Sequence, residues 1–172
     1  MRVFFDQMET PLGQMLLLTD EQGALRALDW HDHADRMKRL LHRYYGPTAD
    51  WVSGAAPLLI RQALAAYFSG DIPAINGVPV ALAGTGFQQQ VWHALRQIPA
   101  GQTLSYKTLA GRLGRPAAVR AVGAANGANP VGLVVPCHRV VGADGALTGY
   151  GGGLHRKEWL LRHEGGSQPR FF

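Results

Sequence analysis

This chain of 172 residues contains a single cysteine, Cys137, and that scarcity removes most structural uses of sulfur. One thiol forms no internal disulfide and supplies no multi-cysteine zinc site. Long apolar runs are also missing. No stretch approaches the roughly 20 residues needed to span a bilayer, so no membrane partner is expected. The start, Met1-Arg2-Val3-Phe4-Phe5-Asp6, is broken by charge too early for a secretion signal. These features point to a soluble, cytoplasmic protein. A hydrophobic fraction of 47% excludes general disorder, and the length suits one ordinary domain or two small ones. Acidic residues are scarce in one half only. Up to residue 83 the chain holds 7 Lys+Arg against 9 Asp+Glu, a balance of −2, whereas residues 84–172 hold 10 against 3, a balance of +7. The excess positive charge therefore shares a half with Cys137. Such a half suits either a polyanionic partner or a merely solvated surface.

The two halves differ in pattern as well as charge. Residues 3–8, 14–19 and 24–30 are short apolar-rich runs separated by Thr10-Pro11-Leu12-Gly13 and Asp20-Glu21-Gln22-Gly23, the signature of a β-meander. Helical spacing follows over 35–44 (Met37, Leu40, Leu41, Tyr44) and over 56–69 (Leu59, Ile60, Ala63, Leu64, Tyr67, Phe68), and residues 78–82 read as a possible strand. His31 and His33 flank Asp32 in a form that could bind a metal, but no further ligands accompany them. Ala83-Gly84-Thr85-Gly86 reads as a hinge, which puts a domain boundary between 1–83 and 84–172. Thr85 suits the N-cap of a helix carrying Phe87, Val91, Trp92, Leu95 and Ile98. Ser105 suits the cap of a second helix, and a third begins at Pro116 or Ala117 and runs to about Ala125. Two short helices joined by a glycine-containing turn form a helix-turn-helix pattern, which any αα-hairpin would also give. The third helix is small-sided nearly throughout, with Arg120 in its middle. It suits close core packing or entry into a nucleic-acid groove. Residues 131–135 read as an apolar strand that delivers Cys137 at its end, and residues 154–163 as a last helix with Trp159, Leu160 and Leu161 buried.

Cys137 is either a buried small hydrophobe or a tuned nucleophile. Pro136 precedes it, and His138 and Arg139 follow. A cysteine hydrolase based on Cys137 and His138 would need an oxyanion hole, and would leave the basic helix pair unexplained. A non-catalytic DNA-binding module is the other alternative.

Pro136-Cys137-His138-Arg139-Val140, with Phe87 to Trp92, Ser105-Tyr106, Arg120-Ala121-Val122-Gly123, Asn129-Pro130, Tyr150 and Lys157-Glu158-Trp159-Leu160-Leu161-Arg162-His163-Glu164-Gly165, resembles the methylated-DNA–protein-cysteine methyltransferases in order and spacing. These proteins repair 6-O-alkylguanine, and the similarity is greatest to their constitutive bacterial branch. The resemblance implies an α+β fold, with a small ribonuclease-H-like N-terminal domain and a mostly helical winged helix-turn-helix domain carrying the site. It also implies transfer of the alkyl group from 6-O-alkylguanine, and from 4-O-alkylthymine, to Cys137 without turnover, cofactor or metal.

Cys137, a water, His138 and Glu164 would form the activating relay, with Asn129 bracing the turn before the cysteine. Tyr106 would rotate a phosphate and protonate the base, Arg120 would fill the gap left by a flipped nucleotide, and Lys107 and Arg115 would lie beside the DNA backbone. Val140, Tyr150 and Gly151 would line the base pocket. The partner implied is double-stranded DNA containing alkylated guanine, bound by a monomer through the minor groove. Adjacent side chains on an extended strand point to opposite faces, so contact between Cys137 and His138 does not follow from adjacency. Two positions depart from some relatives: Gly132 stands where some carry proline, and Gly151 where some carry serine, which favours a roomier site.

Overall fold

The computed structural model describes residues 1–47 and 50–165. The chain divides into two compact units, Met1–Ala83 with Pro130–Val134, and Gly84–Asn129 with Val135–Phe172.

In the first unit the three expected meander strands are β1 (Arg2–Thr10), β2 (Gly13–Asp20) and β3 (Leu25–Trp30). The β1–β2 reversal is a two-residue loop, fixed by the Thr10 hydroxyl, which donates to the Gly13 carbonyl at 2.7 Å and accepts from the Leu12 N–H at 3.1 Å. The sheet order is β3-β2-β1-β4, so β2 is internal and its last six residues are all buried. Alternate residues Leu16 and Leu18 join Val3, Ala27 and the α1 (Ala34–Tyr45) residues Met37 and Leu41 in one apolar cluster. Each of these side chains other than that of Ala27 contributes about 1.5–3 kcal/mol.

The fourth strand, β4 (Asp50–Ser53), pairs in parallel with β1 and is absent from the sequence expectation. Its four residues are mostly exposed and carry no alternation that would mark them. Residues 78–82 yield only an isolated bridge, Val80 to Leu25. Helix α2 (Leu58–Phe68) starts later than expected, and Leu59 points to solvent while Ile60, Leu64 and Tyr67 are buried. The apolar stripe is narrower than the composition of this helix suggests.

The second unit begins at Gly84, whose φ of +148° and backbone position only 2.7 Å (as a built Cβ) from the Trp92 ring require glycine. Thr85 caps α3 (Gly86–Arg96) in a reciprocal capping box with Gln88. Trp92 is fully buried and donates through Nε1 to the Ala125 carbonyl at 2.9 Å, tying α3 to α5 (Val119–Gly127). Ser105 caps α4 (Tyr106–Arg112). Helices α4 and α5 are the helix-turn-helix pair. Helix α5 starts two to three residues later than expected because Arg115 and Ala118 close a turn first. A short parallel sheet joins β5 (Leu104–Ser105) to β6 (Val140–Val141), and α6 (Leu154–Gly165) ends the described chain. Leu160 and Leu161 are buried as expected, but Trp159 is half-buried and stacks on His163 at 4.6 Å. The buried face of α6 holds Arg156 and Lys157 instead. Among the described residues, no helix is long and apolar enough to cross a membrane.

Candidate active site and nucleic-acid interface

Cys137, His138 and Arg139 form a single 3-10 turn, so the expected delivery of the thiol by an extended strand is incorrect. Val131 makes only an isolated bridge, to Leu28. Tight turns replace the strand. The Val134 N–H donates to the Gly132 carbonyl, and the Cys137 N–H to the Val135 carbonyl, each at 2.8 Å. Leu133 takes a φ of 71°, a left-handed conformation uncommon for a side chain of its size. In a turn of about three residues per revolution, neighbouring side chains are a third of a turn apart rather than opposed. The opposed arrangement of an extended strand therefore does not apply to Cys137 and His138.

Cys137 is 8% exposed and His138 is fully buried. His138 Nε2 lies 2.9 Å from Glu164 Oε2, while Nδ1 is buried without a hydrogen-bond partner. Arg139 grips the same carboxylate: Nε donates to Oε1 and Nη2 to Oε2, both at 2.9 Å, and Nη1 donates to the Ile98 carbonyl at 2.7 Å. Burial alone would raise the Glu164 pKa. The His138 and Arg139 charges and hydrogen bonds outweigh it and hold the carboxyl well below the usual carboxylate range. An ionised, doubly held Glu164 fixes the imidazole ring and leaves Nδ1 as its open nitrogen.

A second buried cation completes the surroundings. Lys157 Nζ donates to the Val140 carbonyl at 2.6 Å and to the Thr148 carbonyl at 2.7 Å. Burial lowers its pKa to about 8, and negative charge on Cys137 works the other way. Tyr106 is half-buried at the start of α4, with its hydroxyl beside Thr148 and Asn126. Burial raises its pKa, Cys137 adds to that, and hydrogen bonds with Thr148 and Asn126 oppose it. Asn129 Nδ2 donates to the Val135 carbonyl at 2.8 Å, bracing the turn before the cysteine. Val140 is buried, and Tyr150 sets its ring edge-on to His138 at 6.5 Å. Gly151 is half-buried beside it in sequence.

The remaining candidates form a different face. On α5, Val122, Ala125 and Asn126 are buried, whereas Arg120, Ala121, Ala124 and Gly127 are exposed at helical spacing. The small residues thus divide between packing and a slim exposed face that carries Arg120. Lys107 is exposed on α4, and Arg115 is exposed with its guanidinium 5.3 Å from the centre of the Phe87 ring. His31, Asp32 and His33 stand apart in the first unit with a 3.7 Å His33–Asp32 contact. No group of three or more His, Cys, Asp or Glu that could hold a metal occurs among the described residues.

Sequence reasoning passed over three site residues, Arg139, Lys157 and Asn126. Lys157 shares the α6 face of Leu160 and Leu161, and a cation at such a core position is itself a signal. Asn126 likewise follows Val122 by one turn among small apolar residues, a polar group where burial was due.

A helix-turn-helix and a cysteine held beside a His–Glu–Arg cluster in one unit are the arrangement of a DNA-binding methyltransferase. The family described as 6-O-methylguanine DNA methyltransferase matches across the chain, its ribonuclease-like domain over residues 3–82 and its DNA binding domain over 86–166. A methylated-DNA–protein-cysteine methyltransferase of Salmonella typhimurium is 51% identical over 166 residues, covering 96% of this chain and 97% of that one. Its Methanosarcina barkeri counterpart is 42% identical over 165 residues, covering 94% and 97%. Among solved structures, Mycobacterium tuberculosis OGT in complex with DNA superposes with a TM-score of 0.78 at 38% identity, covering 98% of this chain and 96% of that one. The chain belongs to the 6-O-methylguanine DNA methyltransferase family.

Proposed function

We propose that this protein repairs DNA by moving the alkyl group of 6-O-alkylguanine, and of 4-O-alkylthymine, onto Cys137 in a single irreversible event. Residues 84–172 carry both DNA binding and transfer, and the protein acts as a cytoplasmic monomer. The observation that carries this reading is the buried His138, held by Glu164 on one nitrogen and open on the other, one residue from the lone thiol.

The nucleophile must be a thiolate. The Cys137 proton passes by way of a water to His138 Nδ1, and ionised Glu164 supports the charge that the imidazole gains. The sulfur then attacks the alkyl carbon. An S–C bond forms as the C–O bond breaks, the electron pair passes into the base, and a ring nitrogen takes up a proton to restore guanine. The buried Lys157 ammonium lowers the cost of negative charge on sulfur. Asn129 holds the turn in place, and Val140, Tyr150 and Gly151 line the base pocket.

A base inside a stacked duplex is out of reach, so it must be extruded. Arg120, on the slim face of α5, fills the vacated space from the minor groove, and Tyr106 turns the phosphate and supplies a proton to the base. Lys107 and Arg115 neutralise phosphates, with Arg115 pre-aligned over Phe87. With no second thiol to take the group off Cys137, each molecule reacts once. Intact-mass analysis after exposure to a duplex containing 6-O-methylguanine should find one added methyl per protein, mapped to Cys137 and absent in Cys137→Ala, which still binds DNA. Turnover, or a methyl on another residue, would refute this reading.

A further inference from the structure

The two buried side-chain polar atoms without a hydrogen-bond partner among the described residues, His138 Nδ1 and Asn126 Oδ1, both belong to the second unit. The first unit holds a different unfilled feature, an open recess of about 150 Å³ lined by Lys38, Leu41, His42, Gly46, Pro47 and Trp51. It arises at the sheet edge. Trp51 on β4 pairs with Val3, which packs with Met37 and Leu41 of α1, and residues paired in register share a face. The indole therefore lies on the side that α1 covers. Because β4 is the outermost strand, Trp51 remains 38% exposed there.

The charge around the recess is one-sided. Lys38 and His42 line it one helical turn apart, Arg39 and Arg43 repeat that spacing beside them, and all four are exposed. Among the described residues, the ion pairs of the first unit engage Arg2, Arg26, His33, Arg36 and Arg61, and none of these four. Asp35 is the one acid on α1. Asp50, next to Trp51, is paired with Arg2 and alternates to the other face of β4. The helix dipole accounts for His42 and Arg43 in the last turn of α1 but not for Lys38 and Arg39.

We propose that this recess is a nucleotide site, in which a single base lies against the Trp51 indole and its phosphate is held by the Lys38 ammonium and the His42 imidazole. The indole and the apolar surface of Leu41 and Pro47 select a flat ring, and the two cationic side chains select a ring that carries an anion. A nucleobase with its phosphate supplies both. A cavity of this size takes about one benzene-sized ring, which admits one base but not a base pair. Stacking on an aromatic side chain accepts any base, because every base has a π-face. The same chemistry reaches the protein as a free mononucleotide or as the phosphorylated end of a single strand, whose further phosphates would meet Arg39 and Arg43.

The recess holds none of the alkyl-transfer residues, so its occupancy is independent of that reading. Proton–nitrogen correlation NMR of the full chain tests it, with the Trp51 indole N–H signal identified by its loss in Trp51→Phe. Deoxyadenylate, the mononucleotide, should shift the Trp51 indole and the Gly46 amide in a saturable way. Deoxyadenosine should bind about threefold or more weakly, and inorganic phosphate about tenfold or more weakly. Lys38→Gln, at an exposed position, should weaken deoxyadenylate by about threefold or more and leave deoxyadenosine unchanged. Trp51→Ala, read at the Gly46 amide, should weaken both adenine probes by about tenfold or more. A phosphate-ended oligodeoxyadenylate identifies the source: tighter binding at Trp51 than that of the mononucleotide assigns the strand end, and equal or weaker binding assigns the free nucleotide. Absence of a Trp51 shift at about 10 mM deoxyadenylate, where a site with a Kd of about 1 mM would be about 90% filled, would overturn the proposal. So would unchanged deoxyadenylate affinity in Lys38→Gln, or in a Trp51→Ala protein that melts normally.

Discussion

Both units bury carboxylates, but they leave the resulting charge in different states. In the first unit, Asp20 accepts from the Gln22 and Ala24 N–H groups and from Arg26 Nε at 2.7 Å, and so fixes the β2–β3 turn. Asp29 accepts from the Trp30 N–H and, on its other oxygen, from Arg36 Nε and Nη2. Each carboxylate has one arginine, and both of its oxygens are occupied. In the second unit Glu164 is shared between Arg139 and His138, and both buried orphan atoms of the described chain lie there. A closed ion pair can only hold a turn or a strand end. A pair that includes an imidazole with a free nitrogen can also move a proton. The difference lies in unfilled hydrogen-bonding capacity rather than in burial.

The largest test of that contrast replaces each carboxylate with its amide. Glu164→Gln should slow methyl transfer by about 100-fold or more, the usual contribution of a positioned acid–base group. Asp29→Asn should leave the rate per folded molecule within about twofold. Glu164→Gln should lose about 3 kcal/mol in urea unfolding, since it leaves the buried Arg139 uncompensated, and Asp29→Asn should lose less, because Arg36 is partly exposed. The double variant His138→Ala/Glu164→Gln should be little slower than His138→Ala alone, because members of one relay are not additive. A comparable slowing by Asp29→Asn, or multiplying losses in the double variant, would erase the distinction between closed and open pairs.

Arg120 offers a smaller effect confined to the second unit. It is exposed on α5, whereas Cys137 and His138 are buried. Arg120→Ala should slow transfer from duplex DNA by about tenfold or more, because extrusion loses a few kcal/mol of stacking that the guanidinium no longer replaces. Transfer from the free base 6-O-methylguanine needs no extrusion and should be nearly unchanged, and Arg120→Lys should restore the duplex rate only in part. Equal losses on both substrates would place Arg120 in the fold or the pocket instead.

The sequence carried the parts of this arrangement that are local. The meander, the Thr85 and Ser105 caps and the Pro136-Cys137-His138-Arg139 run are written in contiguous residues, where turn chemistry and periodicity operate. Strand β4 was invisible because its four residues show neither alternation nor burial, and only the parallel pairing with β1 makes it a strand. The turn at Cys137 was misread because an apolar, β-branched run favours extension. The left-handed Leu133 and the contacts that bury this segment override that preference. The closeness of His138 and Arg139 to Glu164 depends on where α6 packs, which no local pattern encodes. Lys157 and Asn126 were legible as polar residues on apolar faces, but their partners, the carbonyls of Val140, Thr148 and Cys137, are backbone atoms that a sequence does not single out.

The smallest effect is also the most discriminating, because the two buried acids should respond to acidification with opposite sign. Burial raises the Asp29 pKa above 3.8, the opposing Arg36 charge notwithstanding. Glu164, equally hidden from water, is held well below 4.5 by His138 and Arg139. Below about pH 4.5 the unfolded chain therefore takes up the Glu164 proton before the folded chain does, and stability falls as acid is added. For Asp29 the folded chain takes the proton first, so this residue gives back stability as the pH drops toward 3.8. Each whole proton of difference contributes a slope of about 1.4 kcal/mol per pH unit. Urea unfolding measured from pH 6 to about pH 3 should accordingly show a shallower acid loss in Glu164→Gln than in the unaltered protein, and a steeper one in Asp29→Asn. Parallel curves for the two variants would mean that both acids sit in equivalent pairs, and that sharing Glu164 between two cations confers no distinct electrostatic state on the second unit.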